Sequence, residues 1–560
     1  MRAVTVAICL LLPVASFAQV PAMGNPAQKQ PALCTVSGQV VTAAEGVPLK
    51  SSRIALIQQD TGSHSSVFAA TTDSEGRFEI KKIAPGRYGV FASHAGYLTQ
   101  QYQARGSSGG AVLNLTPGQE VGHALFRLVR AAVVAGRIVD ESGEPMAGLV
   151  VMAMRRLSVE DKEEFSPQER KVQVTGSSAA VTDDRGEYRI FALKPGEYYV
   201  KAAESDAFPF FAMDEDNNIS ETVRRNLGSQ YAAIFYPGVV QLDQAQSLEL
   251  GPGEEVEADF TMRNVRTVEV AGRVLAPDGK PTTHAYVNLN SPEVGGGVDE
   301  FTAGTGAKGE FSIKGVPPGS YVLSAQQHDE NGFHMAQQKL EVGNDNLDSV
   351  VIAFGKGTTI SGRIVPAGAG TNGSRHIQIQ IVLELAGESD SASFAGAKVK
   401  EDGSFEITDV PDGNYALEIS GIEQGWYMKS ARLGEQDVLQ KGLALEQGPS
   451  GGTLEIVLSS ASARLEGTVL ERDQPVGGAQ VRARPDPETA YNRARGGRTT
   501  TDQNGHFTFD PMPPGKYRIT AKLPSASPET PAVTSEPETV TLGEHDHKAV
   551  ELMLATPQNQ

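Results

Sequence analysis

Residues 181–202 read VTDDRGEYRIFALKPGEYYVKA, which is Gly-x-aromatic-x-aliphatic followed ten residues later by Gly-x-Tyr. Gly186 supplies the positive backbone angle of a tight turn, and aromatic or aliphatic residues then alternate with polar ones as in a half-buried strand. Pro195-Gly196 make a second turn, after which the alternation resumes. We therefore predict two strands that form a hairpin, with Tyr198 in the core and not at a ligand.

This pattern occurs five times along the chain with a constant internal spacing. The second glycine always follows the first by ten residues, in the pairs Gly76 and Gly86, Gly186 and Gly196, Gly309 and Gly319, Gly403 and Gly413, and Gly505 and Gly515. An aliphatic-x-Gly-x-aliphatic phrase opens each copy, beginning at Val36, Val134, Val270, Ile360 and Leu465. These starts lie 90 to 136 residues apart, so each repeat has the length of a small domain.

Each repeat closes with a further alternating strand, and the next repeat begins a few residues later, as from Leu128 to Val134. Six or seven short strands with turn residues between them are typical of a β-sandwich. We predict an all-β tandem array of five Ig-like or transthyretin-like antiparallel β-sandwich domains. Because the linkers are short, we expect a semi-rigid row of domains and an elongated particle.

The repeats also set the predicted domain boundaries. Residues 1–18 are a predicted signal peptide and residues 19–33 a linker, and the five sandwiches span residues 34–130, 131–266, 267–356, 357–461 and 462–556. The second sandwich is the longest, and we predict a short helical insertion in it. Asn218 and Glu221 form a capping box there. Apolar residues recur every four positions at Ile219, Val223, Leu227, Tyr231 and Phe235.

The N-terminus has the form of a secretory signal. Arg2 precedes an apolar run, and Ser16-Phe17-Ala18 is a small-x-small cleavage site. The alternative is a membrane anchor, but the run is short for that and is interrupted by Pro13. We expect an exported protein, periplasmic, cell-surface or extracellular, with no membrane span after cleavage. Cys34 is then its only thiol.

Composition excludes several functional classes. The chain has 49 Lys and Arg against 68 Asp and Glu, a net charge of −19, which argues against nucleic acid or an anionic membrane as a partner. Two cysteines in 560 residues exclude a disulfide scaffold.

Motifs for catalysis are weak. None of the ten His has Glu three residues later, as a zinc carboxypeptidase motif requires, and His545-x-His547 is the only close His pair. The G-x-S-x-G match at residues 106–110 lies in a Gly/Ser loop without a following helix. The G-x-G-x-x-G match at residues 304–309 leads into a predicted strand. We predict that the protein is not an enzyme and has no cofactor.

Calcium binding is the subtler alternative. Asp214, Asp216 and Asn218 copy the first ligand spacing of an EF-hand loop, but the required Gly and Glu are absent. An irregular site there, or at residues 344–346, stays open, and we expect no metal at either.

The repeated motifs resemble the carboxypeptidase regulatory-like domain, a transthyretin-like sandwich related to the B-type repeats of bacterial surface adhesins. The motifs that carry the resemblance stand here as Val134-x-Gly136-x-Ile138, Thr182-Asp183 before Gly186-Glu187-Tyr188, and Pro195-Gly196-Glu197-Tyr198. The resemblance covers residues 35–555 and implies a carbohydrate-binding-like fold. Adhesin repeats often carry a Lys–Asn cross-link, yet the slot after the opening glycine holds Gln39, Arg137, Arg273, Arg363 and Thr468, never Lys.

Our preferred interpretation is a non-enzymatic exported scaffold or binding protein, whose partner is another envelope protein or a polysaccharide. The alternatives are a carbohydrate-binding protein of the cell envelope and a surface adhesin-like protein. A hydrolase is disfavoured because no nucleophile–base set is visible. Trp426 and Tyr427, beside Gly425, form the candidate glycan contact, and burial of Trp426 is the alternative.

Overall fold

Five consecutive units of two β-sheets each make up the part of the chain that the structure describes. This computed structural model describes residues 32–59, 66–105, 109–156, 172–204, 232–263, 265–291, 294–295, 301–329, 332–355, 357–367, 379–385, 394–410, 412–423, 425–445, 452–524 and 532–555. The predicted all-β tandem array of sandwiches is confirmed.

The first two units contain the following strands. In the first unit they are β1 (Cys34–Thr42), β2 (Arg53–Gln58), β3 (Val67–Thr71), β4 (Arg77–Ile83), β5 (Gly86–Ser93), β6 (Gln100–Gln101), β7 (Val112–Leu115) and β8 (Glu120–Leu128). In the second they are β9 (Ala132–Val139), β10 (Leu149–Arg156), β11 (Val172–Val181), β12 (Glu187–Leu193), β13 (Gly196–Glu204), β14 (Ile234–Phe235), β15 (Leu248–Leu250), β16 (Glu255–Glu257) and β17 (Phe260–Thr261). The sheet orders are β4-β1-β8 and β3-β2-β5-β6 in the first unit, and β12-β9-β16 and β14-β13-β10-β11 in the second. The short strands β7, β15 and β17 pair with β5, β13 and β9.

The third and fourth units repeat this plan. Strands of the third are β18 (Val268–Leu275), β19 (Tyr286–Asn290), β20 (Val294–Gly295), β21 (Phe301–Gly304), β22 (Glu310–Val316), β23 (Gly319–Asp329), β24 (Gly332–Val342) and β25 (Leu347–Ala353). Strands of the fourth are β26 (Thr358–Pro366), β27 (Gln380–Leu385), β28 (Phe394–Lys398), β29 (Ser404–Val410), β30 (Gly413–Ser420), β31 (Tyr427–Leu433), β32 (Gln436–Asp437), β33 (Leu443–Leu445) and β34 (Leu454–Ser459). The sheet orders are β22-β18-β25 and β21-β19-β23-β24, then β29-β26-β34-β31-β32 and β28-β27-β30-β33, while β20 pairs with β11 of the second unit.

In the fifth unit the two sheets join edge to edge. Its strands are β35 (Ala463–Glu471), β36 (Gln474–Pro475), β37 (Gln480–Pro485), β38 (Gly497–Thr500), β39 (His506–Met512), β40 (Gly515–Leu523), β41 (Val533–Ser535), β42 (Glu538–Leu542) and β43 (His547–Ala555). They follow the order β36-β35-β43-β41-β40-β37-β38, with β39 on β35 and β42 on β40.

In every unit the opening strand pairs with both the Gly-x-aromatic strand and the closing strand. In the first unit β1 pairs antiparallel with β4 and parallel with β8, so that Gly38 lies opposite both Phe78 and Ala124. A Cβ atom at Gly38 would overlap the carbonyl oxygen of Ala124. The glycine of the opening phrase therefore allows the closing strand to approach, and it accompanies a parallel pair within otherwise antiparallel sandwiches.

The predicted hairpin within the ten-residue spacing is wrong. β4 pairs with β1, whereas β5 pairs with β2 in the other sheet. A bulge near the end of β4, where Lys82 has a φ of 61°, shifts the register between the pairs Val36–Ile80 and Cys34–Ile83. It brings Ile83, fully buried, into the core before the chain crosses to the facing sheet.

Apolar side chains from both sheets make a separate core in each unit. The repeated tyrosine lies in all five cores, as Tyr88, Tyr198, Tyr321, Tyr415 and Tyr517. Each unit therefore has the buried interior of a domain.

Helix is scarce in the described residues. The predicted helical insertion of the second unit lies outside the described residues, except that Phe235, the last residue of its apolar stripe, is on strand β14. One helical turn that the sequence did not reveal, Val438–Lys441, occurs in the fourth unit, where the Asp437 side chain accepts hydrogen bonds from the N–H groups of Leu439 and Gln440. The predicted signal peptide also lies outside the described residues. No helix among the described residues is long and apolar enough to cross a membrane.

Each unit contacts the next, and the fifth contacts the first. Examples are Ala131 N to Gly96 O at 3.0 Å, Gln241 Nε2 to Pro318 O at 3.2 Å, and Lys429 Nζ to Glu544 Oε1 at 2.6 Å. β24 packs against β28 and β29 between the third and fourth units. Gln503 of the fifth unit bonds Asn114 of the first. The expected open row of domains is therefore wrong, because the contacts run in a closed circuit.

Candidate functional site

The repeated Thr-Asp motif holds the turn before the Gly-x-aromatic strand. In the second unit Thr182 Oγ1 donates to Met146 O at 2.7 Å and accepts from Leu149 N at 2.9 Å. Asp183 Oδ1 accepts from the amides two and four residues further along, both at 2.9 Å. These bonds, chiefly the one from the Glu187 amide, keep the pKa of the Asp183 carboxyl below its ordinary value. Thr72 and Asp73, and Thr501 and Asp502, make the same bonds.

The repeated tyrosine is a structural residue, as predicted. The hydroxyl of Tyr88 donates to Ala84 O at 2.8 Å, and the hydroxyl of Tyr517 donates to Pro513 O at 2.7 Å. Tyr198 and Tyr321 bond the carbonyl four residues earlier in the same way. The side chain thus ties the crossover between the sheets to the core.

These tyrosines predict a loss of stability at alkaline pH. Burial, helped by the nearby Asp412 carboxylate, raises the pKa of Tyr415 to about 12, from an ordinary value of 10.0. The folded fourth unit therefore keeps this proton after the unfolded chain has lost it, so its stability should be unchanged below pH 10 and should fall as the pH rises from 10 to about 12. Denaturant titrations at pH 8 to 12 measure this. Tyr415→Phe should flatten the pH dependence of the fourth unit, and an unchanged dependence would contradict the assignment.

The candidate glycan residues lie at the end of the fourth unit that faces the fifth. The Trp426 side chain is half-buried and packs against the core of its unit, and the main-chain N–H of Trp426 donates to Glu423 O at 3.1 Å. Tyr427 begins β31 and is 5% exposed. Glycan stacking on these residues stays a prediction, with Trp426 fluorescence during a polysaccharide titration as its test.

The candidate metal positions give no cluster in the described part of the chain. No group of three or more His, Cys, Asp or Glu side chains there is placed to hold a metal ion. In the loop at residues 344–346, Asn346 Oδ1 accepts from Glu269 N at 3.0 Å, and Asp345 lies 3.6 Å from Arg266. His547 Nε2 lies 3.0 Å from Glu466 Oε1. The acidic stretch at residues 214–218 is outside the described residues.

The structure describes one of the two matches to catalytic motifs in full, and it is a turn between two strands. The glycine-rich match at residues 304–309 turns the chain from β21 into β22, and Gly309 has a φ of 69°. Residues 106–108 of the other match are outside the described residues. Cys34 is 1% exposed in the core of the first unit, and its thiol donates to Thr116 O at 3.1 Å.

The contact between the first and fifth units is the feature that the sequence did not reveal. We call it the end-to-end contact: strand β7 of the first unit meets the turn at residues 502–505 of the fifth. Asn114 N donates to Gln503 Oε1 at 3.0 Å, and Gln503 Nε2 donates to Asn114 O at 2.9 Å. Val112 and Asp502 pair beside them as a parallel bridge. A polar cleft of about 470 Å³ lies next to this contact, with Arg127 on one wall and Glu471 on the other.

Comparison with known proteins places the two ends of the circuit in one family. Residues 35–122 and 464–548 match the family model described as the carboxypeptidase regulatory-like domain. The first and fifth units are carboxypeptidase regulatory-like domains. The predicted resemblance is thereby confirmed, and the three inner units repeat the motifs and strand pairing of these carboxypeptidase regulatory-like domains.

Curated relatives are distant and much longer than this chain. The BOS complex subunit NOMO1 of Mus musculus is 23% identical over 341 residues, which are 59% of this chain and 24% of that protein. The BOS complex subunit NOMO2 of Homo sapiens is 22% identical over 341 residues, 59% of this chain and 22% of that protein. The chain spans about a quarter of the length of the curated relatives it matches.

Two bacterial pilins are among the solved structures to which the chain is similar. A Streptococcal ancillary pilin is 14% identical, with 57% of this chain and 99% of that chain covered and a TM-score of 0.19. The minor pilin GBS52 of Streptococcus agalactiae is 15% identical, with 42% and 96% covered and a TM-score of 0.21.

Proposed function

We propose that the protein is a non-enzymatic exported scaffold, whose carboxypeptidase regulatory-like units present a fixed set of surfaces to another protein. The observation that carries this proposal is how the repeated polar residues are used. Thr182, Asp183 and Tyr198 are the polar residues of the repeated motifs, and each forms hydrogen bonds within its own unit. Motif residues that hold turns and crossovers serve folding. Their repetition therefore repeats a structural framework and does not repeat a reaction site.

A protein partner fits this proposal better than a small substrate. The relatives NOMO1 and NOMO2 are named as subunits of a complex. Two clefts among the described residues, of about 470 and 540 Å³, are wide open to solvent, unlike the enclosed concave pockets that bury most of a small ligand. A polysaccharide partner and an adhesin-like role remain the alternatives within the same exported class.

Export is tested by the fate of the N-terminus. The chain is expressed with its own first residues in a Gram-negative host, and the N-terminus of the product is sequenced by mass spectrometry. We expect a product that begins at residue 19 and is found in the periplasm or the medium. A matched chain without residues 1–18 should stay in the cytoplasm. An uncleaved product in the membrane fraction would contradict the proposal.

A further inference from the structure

The end-to-end contact uses an open strand edge of the first unit. β7 pairs with β5 on one side, and on the other side its main-chain groups at Asn114 meet the Gln503 amide at 3.0 and 2.9 Å. A glutamine amide offers one acceptor oxygen and N–H donors, as a peptide group does. Gln503 therefore takes the place that a neighbouring strand would take on β7. An uncovered strand edge of this kind readily pairs with another chain.

The fifth unit departs from the other units at the positions that touch the first. The turn residue at Gln503 corresponds to Ser74, Asp184, Ala307 and Glu401 in the other units. Gly477 follows Val476, whose N–H donates a hydrogen bond to the opening strand of its unit. The residues at the same position in the first three units are Lys50, Ala147 and Thr283. A Cβ atom at Gly477 would overlap Gln103 Oε1 of the first unit. A Cβ atom there would also lie 2.9 Å from Asp502 O of its own unit, whereas the first three units hold larger residues at this position, so the contact with Gln103 adds to the local reason for a glycine.

We propose that the end-to-end contact is also a docking surface between copies of this chain, in which the fifth unit of one copy binds the β7 edge of another. The contact joins two different surfaces, and every copy carries both of them. Such a contact closes one chain when it forms within it and links chains head to tail when it forms between them. The inference goes beyond the proposed scaffold role and does not depend on export.

The geometry favours a second copy over an unrelated partner. The surface that fits β7 is already present on the chain, with its amide and its glycine in place. Within one chain the two surfaces are held at high effective concentration, so the closed monomer dominates in dilute solution. Once that closure is prevented, the same surfaces are free to meet between chains.

Two complementary variants test this inference. The double variant Gln503→Ala/Gly477→Thr loses the fifth-unit surface of the contact. The single variant Asn114→Pro loses the N–H that β7 turns towards the fifth unit, while β7 keeps its pairing with β5. If Asn114→Pro lowers the thermal stability of the first unit, Gln103→Lys instead disturbs the contact where Gln103 faces Gly477, without altering β7. Ser74→Ala is the matched control, since it changes the corresponding turn position of the first unit.

Each variant alone should open without assembling. Units of about 100 residues have a radius of gyration of about 13 Å, so a closed circuit of five should give about 30 Å and an open row about 45 Å. Small-angle scattering should therefore show an increase in the radius of gyration for each variant, up to about 1.5-fold when the contacts between consecutive units also open, and none for Ser74→Ala.

Mixing the two variants restores one complete contact between two chains. Light scattering at increasing protein concentration should show a one-to-one dimer in the mixture and monomers in each variant alone. If both variants stay as compact as the unaltered chain, the contact does not close it. If the mixture stays monomeric at every concentration, the contact is not a docking surface between copies.

Discussion

Replacing Gly186 with valine should unfold the second unit at temperatures at which the other four remain folded. Gly186 has a φ of 73°, and a Cβ atom there would overlap the carbonyl oxygen of Ile138. The strained backbone costs about 1–3 kcal/mol, and the forced overlap adds about 1–3 kcal/mol. A small domain is stabilised by only about 5–15 kcal/mol, so a separate early transition should appear in calorimetry.

A second glycine of the same unit separates the effect of backbone strain from the effect of atomic overlap. Gly143 has a φ of 85°, but no atom lies within 4 Å of the position that its Cβ would occupy. Gly143→Val should therefore cost only the backbone strain and lower the transition less. Equal losses of stability in the two variants would mean that the overlap with the Ile138 carbonyl oxygen does not contribute to the loss. A common shift of all transitions would mean that the units do not have independent cores.

The sequence was sufficient to predict the sandwich fold of each unit because the residues that determine this fold recur at fixed positions in every repeat. The turn glycines, the alternation after them and the buried tyrosine predicted five sandwiches. The same pattern could not tell a hairpin from a crossover between sheets, since both need a turn between two alternating strands. The crossover depends on the bulge at Lys82, and a lysine gives no sign of a positive φ.

The docking of the units could not be predicted for a different reason. A search for repeats finds the residues that the copies share. Shared residues such as Thr182 and Tyr198 form hydrogen bonds inside their own unit, so they say nothing about contacts between units. The end-to-end contact depends on what one copy does not share, namely Gln503 and Gly477. Both departures are visible in the sequence, but only the structure shows that they face the first unit.

The thiol of Cys34 should react only when the first unit unfolds. It is 1% exposed among the core side chains of that unit, and its hydrogen goes to Thr116 O. After loss of the predicted signal it is the only thiol in the chain, so its labelling rate reports one unit alone. If the first unit opens with a free energy of about 5 kcal/mol or more, labelling by a disulfide reagent should be slower than in denaturant by a factor of about 10³ or more.

A matched pair of tyrosine variants shows whether that opening is local. Tyr88→Phe removes the hydrogen bond to Ala84 O in the first unit, and Tyr517→Phe removes its counterpart to Pro513 O in the fifth. A net loss of about 1 kcal/mol should speed Cys34 labelling about fivefold in the first variant. The second variant should leave the rate unchanged, because a fifth unit weakened by so little stays folded and keeps its contact with β7. Equal acceleration in both would mean that the first and fifth units unfold together, and that the end-to-end contact couples their cores instead of only joining their surfaces.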